Sequence, residues 1–214
     1  MRIALCLTGH ALPLDHPAYR SVYASFISHL YGPNRHHDID VFISTWTDYH
    51  YPAALAASGG PTLDAKGLKR LYQPVSLVVE NAIPENNYCP SNPKALYYKI
   101  HACDQDRQDY QRRTQLPYDA IIHTRLDRDH ATPLLVDALL PRLATDGVAA
   151  LFTVVTGGTD FALGCSHAMT LYASLYRHQT DWTVDADAIL NAHLNHHRLY
   201  RKEIGPVPDR EAGR

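Results

Sequence analysis

Short apolar runs alternate with stretches of helical periodicity along the first two-thirds of this chain. The runs Arg2–Leu7, Ile39–Ser44 and Val75–Val79 are typical of buried strands. The segments between them place apolar residues at helical spacing, as in 18–30, where Gly32 and Pro33 are expected to end the helix. The sequence therefore predicts an α/β fold with a mainly parallel central sheet flanked by helices.

The size and charge of the chain narrow the classes of partner. Its 214 residues suit a single domain, which we expect to span 1–204, with 205–214 as a flexible C-terminal tail. A formal net charge of -2 gives no strong field for nucleic acid or for an anionic membrane surface. Neither is therefore expected as a partner.

The cysteines and the apolar segments predict a cytoplasmic location. Cys6, Cys89, Cys103 and Cys165 are widely spaced with no Cys-x-x-Cys, which favours reduced thiols. The apolar start Ile3–Leu7 is too short for a signal peptide. No stretch approaches the roughly 18 apolar residues that a membrane span needs.

One Asp-x-Asp pair stands where it could hold a metal ion. The run 118–126 is predicted to be a buried strand, so Asp127 and Asp129 follow its carboxyl end. Ligands bind at that edge of open α/β sheets. On extended chain, residues i and i+2 project to the same side, which lets two carboxylates meet one divalent cation. A solvated turn is the alternative for this pair.

The other three pairs are better explained by structure. They are Asp38 with Asp40, Asp104 with Asp106, and Asp185 with Asp187. The first pair precedes a strand and so lies at its wrong end. The second falls within a helical pattern, where i and i+2 do not face each other. The third opens the last helix, where carboxylates are stabilised by the helix dipole.

Histidine clusters form a second candidate for metal binding. His193 and His197 are i and i+4 on one predicted helix face, with His196 beside them, and His36 and His37 are adjacent. The sequence near either cluster offers no evident third ligand. A solvated surface is therefore the favoured interpretation of both.

Four blocks of the chain together resemble a known group of proteins. In order and spacing, most of the sequence is similar to small bacterial and viral glycosyltransferase-like proteins of the GT-A fold, of the capsule or surface-glycan type. The blocks are Ile3–Gly9 (IALCLTG), Asp40–Trp46 (DVFISTW), Tyr118–Asp127 (YDAIIHTRLD) and Asp160–Gly164 (DFALG), the last followed by Met169 and Tyr172.

The resemblance implies a nucleotide-sugar-dependent transferase. Asp127 and Asp129 would hold Mn²⁺ or Mg²⁺ against the donor diphosphate. Thr8 and Gly9 match the place where the family's nucleotide lies, although a plain strand-exit turn would also explain them. Asp160 would contact the sugar or the acceptor hydroxyl, as general base in an inverting enzyme or as a positioning group in a retaining one. A turn carboxylate is the alternative for Asp160.

Several other side chains are candidates for donor binding. Lys99 could reach a phosphate, with a solvated helix face as the alternative. Arg125 could face the phosphates or form an ion pair with a neighbouring carboxylate. Trp46 and Tyr49 could stack on a base or a sugar ring, although core packing is favoured for the tryptophan.

The functional expectation is a metal-dependent glycosyltransferase that moves a sugar from a nucleoside diphosphate donor to a glycan or lipid-linked acceptor. Two other functions remain open. A nucleotidyltransferase or phosphohydrolase also uses paired carboxylates and a cation, but it moves no sugar. A sugar- or nucleotide-binding domain could keep the same fold without turnover, because fold does not establish function.

Overall fold

The computed structural model describes residues 1–12, 14, 16–46, 64–80, 93–145, 150–153 and 161–203. Four predictions fall outside these ranges. They concern Tyr49 as a stacking residue, Cys89 as a reduced thiol, Asp160 as a base or positioning group, and the tail 205–214.

One mixed sheet organises the described part of the chain. Its strands are ordered β3-β2-β1-β4-β6-β5-β7. β1 pairs in parallel with β2 on one side and with β4 on the other, and β3 pairs in parallel with β2. β5 and β7 are also parallel, whereas β6 runs antiparallel to both β4 and β5. The prediction of a mainly parallel sheet is confirmed. The strands are β1 (Arg2–Gly9), β2 (Asp38–Trp46), β3 (Ser76–Glu80), β4 (Ala120–Arg125), β5 (Ala150–Thr153), β6 (Phe161–Gly164) and β7 (Tyr200–Glu203).

Helices cover both faces of this sheet. They are α1 (Tyr19–Ser25), continued by a π-helical turn (Phe26–Tyr31) and α2 (Gly32–Asn34), then α3 (Ala65–Tyr72), α4 (Pro93–Thr114), α5 (Val136–Thr145), α6 (Ser166–His178) and α7 (Ala186–His196). Successive residues of β1 divide between the two faces, because side chains alternate along a strand. Leu5 packs in the cluster that contains Phe26, whereas Cys6 packs with Ile100 and Met169.

The first helix does not end where the sequence predicts. Gly32 and Pro33 lie inside the helical segment, which continues to Asn34. The π-helical turn explains this, because the Gly32 amide donates to the Ile27 carbonyl, one residue further back than in an α-helix. A proline close to the start of the new α-helical turn lacks only an N–H that would otherwise need a partner.

A buried ion pair lies within α4 and is hydrogen-bonded to α6. Arg107 of α4 is fully buried, and its Nε donates to Asp104 Oδ1 of the same helix at 2.8 Å. Because both charges are removed from water, each neutralises the other. The Arg107 guanidinium also donates to Thr170 Oγ1 of α6 at 3.2 Å, and this hydrogen bond joins the two helices.

Three of the cysteines lie in the described part of the chain. Cys6 and Cys103 are buried and free, and Cys165 is free and half-buried. Within the ranges given above, no helix is long and apolar enough to cross a membrane.

Gly32 provides a test of the π-helical turn. We expect Gly32→Ala to lower the free energy of unfolding by about 1–3 kcal/mol, as overpacking does, because its Cβ would lie 2.6 Å from the Ile27 carbonyl oxygen. Urea denaturation would measure the change. Ser28→Ala, at an exposed position of the same turn, should change stability by less than about 0.5 kcal/mol. Equal stability of the two variants would contradict this account of the turn.

Candidate functional site

The carboxyl ends of four parallel strands form one edge of the sheet. Thr8, near the end of β1, pairs in register with Ser44 of β2 and with Arg125 of β4. The last residues of β2 and β3, Trp46 and Glu80, pair with each other. This is the edge at which open α/β sheets bind ligands.

The end of β1 carries a glycine at this edge. Gly9 has a φ of +95°, a conformation that favours glycine, and a Cβ built on it would meet no described atom within 4 Å. The Thr8 carbonyl accepts a hydrogen bond of 2.9 Å from the Leu126 amide, which holds the segment after β4 against the end of β1. Gly9 is buried, and none of the described side chains packs where its Cβ would lie.

The first candidate metal ligand is held by an arginine. Arg125 donates to both carboxylate oxygens of Asp127, from Nε at 2.9 Å and from Nη2 at 2.7 Å. Such a two-point pair fixes the plane of the carboxylate. The ion pair that the sequence left open for Arg125 is present, and contact of Arg125 with a phosphate stays a prediction.

The second candidate ligand is held by α1. Ser21 Oγ lies 3.1 and 3.2 Å from the two carboxylate oxygens of Asp129, to which its hydroxyl donates. One helical turn later, Ser25 Oγ accepts a hydrogen bond of 2.5 Å from the His130 amide. Two serines of one helix thus anchor the loop that follows β4. No sequence pattern indicated Ser21, because it is far from Asp129 along the chain.

The ring of His130 adds no positive charge beside these carboxylates near neutral pH. Burial, together with the neighbouring His29, lowers the pKa of His130 to about 4. The Asp129 carboxylate acts in the opposite direction but does not outweigh burial.

Lys99 is part of the protein interior. Its side chain is 0% exposed, and Nζ donates to the Thr45 carbonyl at 2.8 Å and to Glu80 Oε2 at 2.5 Å. The ammonium also lies 3.9 Å from the centre of the Trp46 ring, a favourable cation–π contact. The alternative of a solvated helix face is wrong for Lys99, because the face of α4 that carries this residue packs towards the sheet. Contact of Lys99 with a phosphate stays a prediction.

In both Lys99 and Glu80, the pKa is shifted in opposite directions by burial and by the hydrogen bond between the two groups. Burial lowers the pKa of Lys99, although its hydrogen bond to Glu80 opposes the shift. Burial alone would raise the pKa of Glu80, but hydrogen bonds from Lys99 and Tyr98 lower it. The pKa of each group therefore depends on the other as well as on burial.

Two aromatic rings pack beside the Lys99–Glu80 pair. Trp46 stacks on Tyr98 with ring centres 5.6 Å apart, and the Tyr98 hydroxyl donates to Glu80 Oε1 at 2.8 Å. Trp46 is buried, which agrees with core packing as the favoured interpretation. Burial and the bond to Glu80 raise the pKa of Tyr98 to about 12, so its hydroxyl remains a donor. Sequence reasoning found neither Glu80 nor Tyr98.

Comparison with known proteins identifies the fold. No family model and no curated protein matches the sequence. A crystal structure from Desulfovibrio desulfuricans, provisionally assigned as a nucleotide-diphospho-sugar transferase, superposes with a TM-score of 0.50 at 13% identity, covering 94% of this chain and 79% of that one. The protein therefore has an α/β fold of the nucleotide-diphospho-sugar transferase type.

A second solved structure is more distant. It is CMP:2-keto-3-deoxy-manno-octonic acid synthetase complexed with CTP, with a TM-score of 0.39 at 12% identity, covering 94% of this chain and 88% of that one. This similarity is too low to support a conclusion.

The Lys99–Glu80 pair leads to a prediction about stability. We expect Glu80→Gln to destabilise the protein by about 3 kcal/mol, because it leaves a buried ammonium without its counter-charge. Lys99→Met should cost less, since the Glu80 side chain is 35% exposed and can be solvated. Urea denaturation at neutral pH would compare the two variants. A larger loss for Lys99→Met would contradict this order.

Proposed function

We propose that the protein is a metal-dependent glycosyltransferase that moves a sugar from a nucleoside diphosphate-sugar to a glycan or lipid-linked acceptor, of the capsule or surface-polysaccharide type. One observation carries the proposal. Asp127 and Asp129 follow β4 after Leu126, at the carboxyl edge of the parallel strands, and the Leu126 amide is hydrogen-bonded to the Thr8 carbonyl at the end of β1. The fold type adds support to this choice.

The chemistry of the two carboxylates suits Mn²⁺ or Mg²⁺. Both cations prefer oxygen ligands, and Mg²⁺ is usually held by one or two carboxylates together with substrate phosphates. Asp127 already accepts two bonds from Arg125, but each carboxylate oxygen has a second lone pair. When bound, the cation would stabilise negative charge on the leaving diphosphate as a Lewis acid.

The remaining residues would bind and orient the donor. Arg125 would keep the Asp127 carboxylate in one orientation, and Ser21 would do the same for Asp129. The lack of a Cβ at Gly9 would allow the nucleotide to approach the backbone. In this proposal Asp160, which directly precedes β6 in the sequence, acts on the acceptor hydroxyl as a base or as a positioning group.

Thermal unfolding with a panel of nucleoside diphosphates and nucleotide-sugars, with and without Mn²⁺, tests donor binding. A donor at about 100 times its dissociation constant should stabilise the native protein by about 2.7 kcal/mol. We expect this shift only when Mn²⁺ is present. No shift with any donor in folded protein would count against the proposal.

Variants of the two carboxylates test the metal site. We expect Asp127→Asn and Asp129→Asn to abolish the Mn²⁺-dependent shift while leaving a folded protein, because one carboxylate is partly exposed and the other exposed. Asp38→Asn is the matched control, since its side chain is 75% exposed at the opposite edge of the sheet. Donor affinity equal to wild type in both site variants would remove the central claim.

The reaction itself distinguishes the alternatives. Incubation with the donor identified by the thermal shift should release nucleoside diphosphate and transfer the sugar to an acceptor or to water. Release of pyrophosphate or phosphate without sugar transfer would indicate a nucleotidyltransferase or phosphohydrolase. Donor binding without any turnover would indicate a binding domain.

A further inference from the structure

Three histidines from two helices meet at one point of the surface. His178 is the last residue of α6, His193 lies in α7, and His197 follows the end of α7. One ring nitrogen from each lies within 4.8 Å of the other two. His193 and His197 are one turn apart, and the packing of α6 on α7 supplies the third ring, which the sequence near them does not reveal.

Hydrogen bonds prepare two of the rings as ligands. His193 Nε2 lies 2.8 Å from the Leu171 carbonyl oxygen, and His178 Nδ1 lies 3.0 Å from the Ser174 carbonyl oxygen. A carbonyl can only accept, so in each ring this nitrogen carries the proton and the other nitrogen offers a lone pair. Histidines that bind metals commonly donate their second ring nitrogen to a backbone carbonyl in this way.

The three rings also line a cavity. It has a volume of about 550 Å³, and its other walls include the apolar side chains of Leu175 and Ile189. A cation held by the three imidazoles would therefore have space on its remaining side for water or for a small ligand. Three protein ligands with one open position are typical of reactive zinc sites.

We propose that His178, His193 and His197 form a binding site for a divalent transition metal of the Zn²⁺ class, with a further coordination position that faces the cavity. Neutral imidazole suits Zn²⁺ and Co²⁺, and it suits Mg²⁺ poorly. The site is separate from the carboxylates at the sheet edge, since neither Asp127 nor Asp129 belongs to this group.

A second cluster must be controlled for in the experiment. His36, His37 and Asp137 also place three ligand atoms within 4.8 Å of one another in the described residues. Both imidazoles of that cluster lie within ion-pair distance of the Asp137 carboxylate, at 2.7 and 3.2 Å. Binding should therefore be measured in the full chain with the double substitution His36→Ala and His37→Ala, which removes the competing three-ligand cluster of the described residues.

Calorimetric titration of chelator-treated protein with Zn²⁺ tests the proposal. We expect one equivalent to bind in the His36→Ala, His37→Ala background. Adding His178→Ala or His197→Ala should weaken binding by more than the 10- to 100-fold that loss of an outer-shell partner costs. Both residues lie outside the buried core, so these variants should fold even if a change at buried His193 does not.

His196→Ala is the matched control. This exposed residue neighbours His197 but lies outside the group of three, so its loss should leave affinity within a few-fold of the background protein. Unchanged affinity in His178→Ala and His197→Ala, or no Zn²⁺ binding by the background protein, would overturn the proposal.

Co²⁺ can replace Zn²⁺ as a probe of the coordination geometry at the three histidines. Co²⁺ in a four-coordinate site gives strong visible absorption bands, and added azide should change them by entering the position that faces the cavity. Bands that azide does not alter would overturn the assignment of an open position. Asp127→Asn and Asp129→Asn should leave Zn²⁺ affinity unchanged, so failure of this site and failure of the proposed function can be told apart.

Discussion

The backbone pairing of β1 with both of its neighbours is the constraint on which the rest of the structure depends. All of β1, from Arg2 to Gly9, pairs with β2, and most of it pairs with β4 on the other side. Because its side chains are almost all buried, each backbone amide and carbonyl must find its partner in the sheet. A fixed register follows. That register brings the Gly9 turn and the Asp127 segment to the same edge of the sheet.

Helix α4 adds a second constraint through two buried cations. Lys99 is neutralised by Glu80 at the end of β3, and Arg107 by Asp104 within the helix. A buried charge without a partner costs several kcal/mol, so α4 cannot rotate or slide without separating Lys99 from Glu80. The Arg107–Asp104 pair moves with the helix, and the hydrogen bond from Arg107 to Thr170 is what ties it to α6. The same orientation brings Tyr98 onto Trp46 beside the carboxyl edge of the parallel strands. We interpret the Lys99–Glu80 pair as a device that specifies the position of α4 more than as a source of net stability.

The elements predicted well are those with a strong local pattern. The apolar runs became β1 to β4, and the run predicted as a strand at 118–126 became the shorter β4 (Ala120–Arg125). The antiparallel β6 between β4 and β5 was not predicted, because the pairing of a four-residue strand is decided by distant partners. The helix stop at Gly32 and Pro33 was predicted wrongly, because the π-helical turn accommodates both residues. In the site, the burial of Trp46 and an ion pair of Arg125 with a neighbouring carboxylate were foreseen, and that carboxylate belongs to Asp127, only two residues away.

The sequence by itself determined the class of fold and the position of Asp127 and Asp129 after a buried strand. Both follow from periodicity and order along the chain, which need no knowledge of distant contacts. Only the tertiary structure decided that Lys99 is buried against Glu80, that Ser21 holds Asp129, and that His178 joins His193 and His197. The reason is that each of these contacts joins different elements, and packing alone sets which of their faces meet.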